Sequence, residues 1–312
     1  MRELSGYTLR DWLHGLPVGH GFKEVRNDVA DRYYSATGHA AADAFLSRHA
    51  YLAGSDLLVT IAYNMPEAIR HLARAAARHM DHPGGPALIV ADNSRKLEAR
   101  REIARIAADH GLPYLPLPPN PVRQPSRNHG VAINWAWRNI LAPLKPSRFA
   151  LWDHDLLPLA PVDLAEALAG QPVYGIRLSN DWGWHLWAGY CFFDFSAVGG
   201  YRLNFSTDLS RKLDTGGRNS AILYRHLDAA SLRFATLRWV HLRDRGFRGP
   251  FISHFVDSHF HISGAAYLEK MPGFFQEMVD ATLAGESCES IAARFTEPMD
   301  EAEFPYIERQ WK

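Results

Sequence analysis

The apolar run Phe149-Ala150-Leu151-Trp152 leads straight into Asp153-His154-Asp155. If the run is a strand, the bulky residue between the two acids turns away and both carboxylates face one pocket. Paired oxygen ligands of this kind suit Mg2+ or Mn2+, which commonly join a protein carboxylate to the phosphates of a substrate. The chemistry implied is neutralisation of charge on a departing diphosphate. The bland alternative is two solvated acids in a turn, so the surrounding elements must decide. A second set of ligand types lies in Asp257-Ser258-His259-Phe260-His261-Ile262-Ser263-Gly264. On an extended chain His259 and His261 share one face, and imidazole suits Mn2+ or Zn2+ better than Mg2+. With 16 histidines in the chain, chance pairs of this spacing are expected. Asp181–Tyr190 carries Trp182, Trp184 and Trp187. Their flat rings could stack on sugar C–H faces or form a core seam.

Composition narrows the classes. The 312 residues are 47% hydrophobic and 22% charged, ordinary values for a globular chain. Lys plus Arg and Asp plus Glu are 34 each, so no net charge points to nucleic acid or an anionic membrane. A local basic pocket for a phosphorylated molecule stays compatible with that balance. Cys191 and Cys288 make no disulfide framework and have no metal-type spacing, which implies a reducing compartment. The first residues lack a secretory pattern, and no apolar run is long enough to span a bilayer. A cytoplasmic location is expected, with peripheral association with a membrane left open.

The elements that would position these residues start at Asp56. Asp56–Tyr63 reads as a strand, followed by a helix from Pro66 to about Met80 with Ile69, Leu72, Ala73 and Ala76 at helical spacing. Ala87–Ala91 is a second strand running into Asp92-Asn93-Ser94, and a charged helix follows to about His110. Pro113–Leu117 is a third strand. Ser126 is placed to cap a helix that stops at Pro143, and Arg148–Trp152 is a fourth strand. A helix after Pro161 and a strand at Val173–Leu178 extend the alternation. Such alternation implies a mostly parallel sheet with helices on both faces and the strand ends along one edge, where open α/β sheets bind ligands. Beyond about Ser179 the pattern reads as aromatic loops, mixed strands and a terminal helical stretch. Of the first 50 residues, only Ala41–His49 reads clearly as a helix.

From about Asp56 to Leu159, with echoes to Tyr267, the chain resembles glycosyltransferases of the GT-A class, and looks most like the family 2-like members. The residues that carry the resemblance are Val59–Asn64, Val90–Ser94, Asn128–Asn134 and Trp152–Asp155. It implies a GT-A-like, Rossmann-like α/β fold with an aromatic-rich C-terminal acceptor region. Ala62, Tyr63 and Asn64 match the loop beside the nucleobase of a sugar nucleotide, and Asp92 matches an acid that contacts base or ribose. Asn128, Gly130 and Asn134 match the segment that closes over the donor, where a small residue permits close backbone approach. Asp153 and Asp155 match the metal-carrying acids of a DxD motif, with Asp155 as the direct ligand. His261 looks like a C-terminal histidine returned to the metal or diphosphate, with His259 as a further candidate. In inverting members an acid entering a later helix deprotonates the acceptor hydroxyl. Asp214, in Leu213-Asp214-Thr215-Gly216-Gly217-Arg218, matches that place without its usual acidic neighbour, and Asp181 is the reserve. Arg218 could bind a phosphate or pair with Asp214. Two departures, no proline before Tyr63-Asn64 and Ala91 where many members have an acid, bear on the donor's base.

The expectation is a glycosyltransferase dependent on Mn2+ or Mg2+, moving a sugar from a nucleotide-diphosphate donor to a glycan or other hydroxyl acceptor, with inversion. Residues 1–52 would be an N-terminal helical extension, 53–180 the nucleotide-sugar-binding part, and 181–312 the acceptor-side and C-terminal region. Two alternatives are a degenerate relative that binds glycans or partners, and a sugar-nucleotide nucleotidylyltransferase. The second needs a glycine-rich basic loop, and Thr60–Asn64 has neither Gly nor Lys.

Overall fold

A computed structural model describes residues 3–243, 253–262 and 270–299. Its first sheet contains β1 (Asp56–Ala62), β2 (Ala87–Asp92), β3 (Tyr114–Pro116) and β4 (Arg148–Trp152). These four are parallel, in the order β3-β2-β1-β4. Nearly every residue of β1 is buried, as expected for a strand covered on both faces. Leu57, Val59 and Ile61 enter a core shared with Val131 and Trp135 of the helix Pro125–Ala136. Leu58 packs on the other face with Leu72 and Ala76 of the helix Pro66–His79.

Past β4 the architecture departs from simple alternation. β5 (Leu156–Pro158) leaves the first sheet and joins a second one, while β6 (Val173–Asn180) and β7 (Gly183–Asp194) complete the first. The expected continuation of parallel pairing at Val173–Leu178 is corrected: among the described strands β6 pairs with β7 alone, antiparallel, and β7 inserts between β6 and β4. The segment read as aromatic loops after Ser179 is β7 itself. Its bulky residues are core: Phe193 stacks on Phe149 at 4.8 Å, and Trp184 packs on Tyr224 at 4.6 Å. Twelve residues with histidine, glycine and three aromatic kinds lack the period-2 polarity of a half-exposed strand, because this strand is covered on both faces. A sequence boundary at 180 therefore falls inside a hairpin of one sheet.

The second sheet is antiparallel, with β8 (Leu237–Leu242), β9 (Ser253–Val256), β10 (His259–Ile262) and β11 (Thr296–Pro298) in the order β11-β8-β9-β10-β5. Phe255 and Phe260 pack beneath the helices Gly273–Leu283 and Cys288–Phe295. Met65, Ala68 and Ala75 join the same cluster, so the helix Pro66–His79 is wedged between the two sheets. At the N-terminus, helices Leu9–Leu13, Leu16–Ser35 and His39–Arg48 precede β1. No helix among the described residues is long and apolar enough to cross a membrane.

Four buried histidines, His71, His79, His185 and His259, have their imidazoles pushed down to about 4 by burial. In the unfolded chain they titrate near 6.5. Their contribution to stability is therefore complete above that value and is lost as pH falls towards 4, up to about 3 kcal/mol for each group. Urea unfolding between pH 7.5 and 4.5 should show this loss, and His185→Phe should reduce the pH slope by about one proton. An unchanged slope in that variant contradicts a neutral buried His185.

Candidate metal centre at the junction of two sheets

The triplet Asp153-His154-Asp155 is the link by which the chain passes from β4 in one sheet to β5 in the other. Several hydrogen bonds hold it, among them Leu156 N–H to the Asp153 carbonyl at 3.1 Å. The Asp153 N–H donates to the Gly189 carbonyl of β7 at 2.9 Å, and the Trp152 indole N–H donates to the Leu156 carbonyl at 2.7 Å. The central imidazole turns inward, with His154 Nδ1 at 3.1 Å from the Ile61 carbonyl at the end of β1. With His154 removed in this way, the two flanking carboxylates come together.

His261 on β10 completes the group. Its backbone pairs with Leu156, which brings the imidazole beside the triplet. His261 Nε2 lies 3.2 Å from Asp155 Oδ1 and 3.8 Å from Asp153 Oδ2. One ligand atom from each of the three residues lies within 4.8 Å of the others. Two ligands bound at about 2.1 Å to a common ion are at most about 4.2 Å apart, so both histidine–carboxylate separations suit a shared cation. On the far side of the ring, His261 Nδ1 is 3.2 Å from His254 Nε2. If Nε2 is the ligand atom, Nδ1 carries the proton and donates to His254, an arrangement that fixes the ring. Trp187 of β7 stands edge-on to His261 at 4.8 Å and forms a wall of the site.

The two acids differ in charge state. Burial and the neighbouring Asp155 carboxylate raise Asp153, against the opposing pull of His129, whose Nε2 lies 3.7 Å from Asp153 Oδ1. Burial also works against the Asp155 charge, but His261 and His154 outweigh it and hold Asp155 well below the usual carboxylate range. The pair thus has one firmly anionic member, with an imidazole between the two acids. Gly189 is required for this arrangement. A Cβ there would sit 2.2 Å from the Trp187 ring and 2.5 Å from Asp153 Oδ2.

The other candidates are placed as follows. His259 is two pairing steps farther along, opposite Pro158, and packs edge-on against Trp152 at 4.9 Å. It belongs to the core beside Tyr190, not to the Asp153–Asp155–His261 group. Ser263 and Gly264 lie outside the described residues. Asp92 is wholly buried, and its oxygens accept from Ser94 N–H at 2.8 Å and Tyr114 O–H at 2.8 Å, with Arg100 at 3.9 Å. Asn64, at φ 53°, accepts from the Arg95 and Lys96 N–H groups, so it caps the entry to the helix Leu97–Asp109 and not its own helix. Ala62 is buried at the end of β1 and its carbonyl accepts from Asn93 N–H, whereas Tyr63 is half-buried beside it.

The segment expected to close over a donor, Asn128–Asn134, bonds to the chain itself. Asn128 accepts from the Asn93 amide at 2.6 Å and donates to the Val122 carbonyl. Asn134 accepts from Phe205 N–H at 2.7 Å and donates to Asn204 and Ser206. The close approach at Gly130 is that of the Phe205–Ser206 backbone, where a Cβ would meet the Phe205 carbonyl oxygen at 2.4 Å. The cap of that helix is Gln124, with Pro125 in the first turn, and not Ser126. Asp181 sits in the exposed turn of the β6–β7 hairpin, eight residues from Gly189, roughly 25 Å along the strand. Asp214 is half-buried in the turn that packs Gly216 against the Leu186 carbonyl. Arg218 pairs with Asp28 at 2.8 Å and faces Glu24 at 3.8 Å, and so turns to the N-terminal helix and not to Asp214.

His129, His254, Trp187 and Gly189 also belong to this centre, although their sequence positions alone give them no role in it. His129 lies inside the Asn128–Asn134 segment and His254 five residues before His259, so proximity was the available signal.

No protein-family model matches this chain, and no curated protein sequence matches it. Among solved structures it is similar to the mannosyltransferase PcManGT from Pyrobaculum calidifontis, in complex with GDP-Man and Mn2+, at 15% identity and a TM-score of 0.33. The alignment covers 56% of this chain and 59% of that one.

Gly189→Ala should leave the far-ultraviolet circular dichroism intact and weaken Mn2+ binding at least tenfold, measured from the free-ion electron paramagnetic resonance signal. Unaltered affinity contradicts the packing of Asp153 against Gly189 as a condition of the site.

Proposed function

We propose that this protein is a metal-dependent glycosyltransferase that takes a sugar from a nucleotide-diphosphate donor. The observation that carries the reading is the meeting of Asp153, Asp155 and His261 at the carboxyl edge of parallel strands. Two carboxylates with one imidazole suit Mn2+ better than Mg2+, and Asp155, Asp153 and His261 are the residues that would hold it. Bound there, the cation supplies positive charge for the diphosphate that leaves. Asp155 is the firmly anionic member of the set, and His129, on the helix Pro125–Ala136, stands 3.7 Å from Asp153 Oδ1. Tyr63, half-buried at the tip of β1, is assigned to the face of the base. Asp92, Asn64, Asn128 and Asn134 shape the walls through their internal bonds and leave donor contact to the backbone around them.

Asp214 is the proposed base for the acceptor hydroxyl, and inversion follows from that role. Its support is position: a half-buried carboxylate on a turn that packs against β7, the strand that also carries Trp187 and Gly189. The exposed hairpin position of Asp181 gives it no comparable support.

Calorimetric titration with UDP and GDP tests the reading. At least one should bind at least tenfold more tightly with Mn2+ than with EDTA, and Asp155→Ala should abolish that difference while its far-ultraviolet circular dichroism stays that of the parent. Nucleotide binding indifferent to the metal contradicts the proposal. For Asp214→Asn, turnover should fall at least a hundredfold with the donor KM within about threefold. Equal losses in both remove Asp214 as the base.

A further inference from the structure

The helix Leu16–Ser35 is packed inside out. Its buried positions are mostly polar, with Glu24, Asn27, Asp31 and Ser35 turned to the body of the protein. Asp31 pairs with Arg127 at 2.9 Å and accepts from Ser206, Arg218 reaches Glu24 and Asp28, and Arg138 donates to Ser35. The opposite face holds Val18, Phe22, Val25, Val29 and Tyr33, each between 63% and 76% exposed. At about 100° per residue these five lie within roughly 80° of arc, directed away from the protein. An ordinary surface helix of a globular protein has the reverse arrangement.

The exposed apolar area is too large to be incidental. The five side chains present on the order of 600 Å2, at the upper limit of the largest patch on a typical monomer. The helix Leu9–Leu13 adds Leu9 and Leu13, exposed by 77% and 79%. Charge then distinguishes between occupants. Arg32 and Arg26 flank the stripe on its two sides and are exposed, with Lys23 beyond Arg26. Of the acids of the helix, Glu24 and Asp31 are turned inward and Asp28 is half-exposed, and all three are paired: Glu24 and Asp28 with Arg218, Asp31 with Arg127. Two copies of such a face would bring like charges together around the seam. An anionic bilayer offers hydrocarbon to the stripe and headgroup phosphates to its cationic borders, where long side chains can extend to the lipid surface.

We propose that the outward face of the helix Leu16–Ser35 is a docking surface for an anionic lipid bilayer, on which the helix lies in the plane of the interface. The site is independent of the metal centre and does not depend on the reaction assigned to it. Its test is flotation of the full chain with vesicles of phosphatidylcholine alone and with 30% phosphatidylglycerol. The protein should float with the anionic vesicles and release as NaCl is raised from 0.1 to 0.5 M. Phe22→Glu with Val25→Glu should lower the bound fraction at least tenfold, with an unchanged thermal midpoint because both side chains are exposed. Arg26→Gln with Arg32→Gln should weaken binding several-fold and flatten its salt dependence. Failure to float with either vesicle overturns the proposal, as does equal flotation of the glutamate variant. So does sedimentation equilibrium showing twice the 35.2 kDa chain mass without lipid, reverting to one chain in the glutamate variant, since the stripe is then a dimer seam.

Discussion

Everything at the centre depends on holding a buried carboxylate, Asp155, against a half-buried one, Asp153, where one sheet passes into another. Like charges at this range repel, and burial increases the cost. The fold meets it with imidazoles on several sides: His261 between the acids, His129 beside Asp153, and His154 behind them on the Ile61 carbonyl. The short link between β4 and β5 makes the arrangement rigid, because both its ends are strands of different sheets. A divalent cation relieves the same repulsion more completely than imidazole alone, which is the physical reason for reading the group as a metal centre.

The two sheets contribute unequally. The parallel one brings Asp153 to its carboxyl edge and supplies Gly189 and Trp187 from β7. The antiparallel one supplies His261 and, on the adjacent strand, the His254 that orients it. The helix Pro66–His79, packed on both, makes their separation a fixed distance.

Much of this was legible in the residues. Phe149–Trp152 ending in two acids reads as a buried strand with both at its tip, against the alternative of a solvated turn, and the side-chain period of two placed His261 on a definable face. That period could not separate His261 from His259: both share the face, and only the register against Leu156 and Pro158 assigns one to the acids and the other to the core. Asp92, Asn64, Asn128 and Asn134 illustrate a different limit. The same side chains that recognise a nucleotide also satisfy backbone groups in turns, and residue type does not distinguish the two uses. β7 was hidden by its glycines and histidine. The helix Leu16–Ser35 was hidden because its apolar stripe marks the face turned away from the core.

The central claim is that Asp155, Asp153 and His261 share one cation, and X-ray anomalous scattering tests it most directly. Crystals grown with Mn2+ and measured at the manganese absorption edge should give a single strong difference peak about 2.0–2.3 Å from Asp155 and His261. A map with no peak at the β4–β5 link, or with manganese bound only elsewhere, contradicts the account.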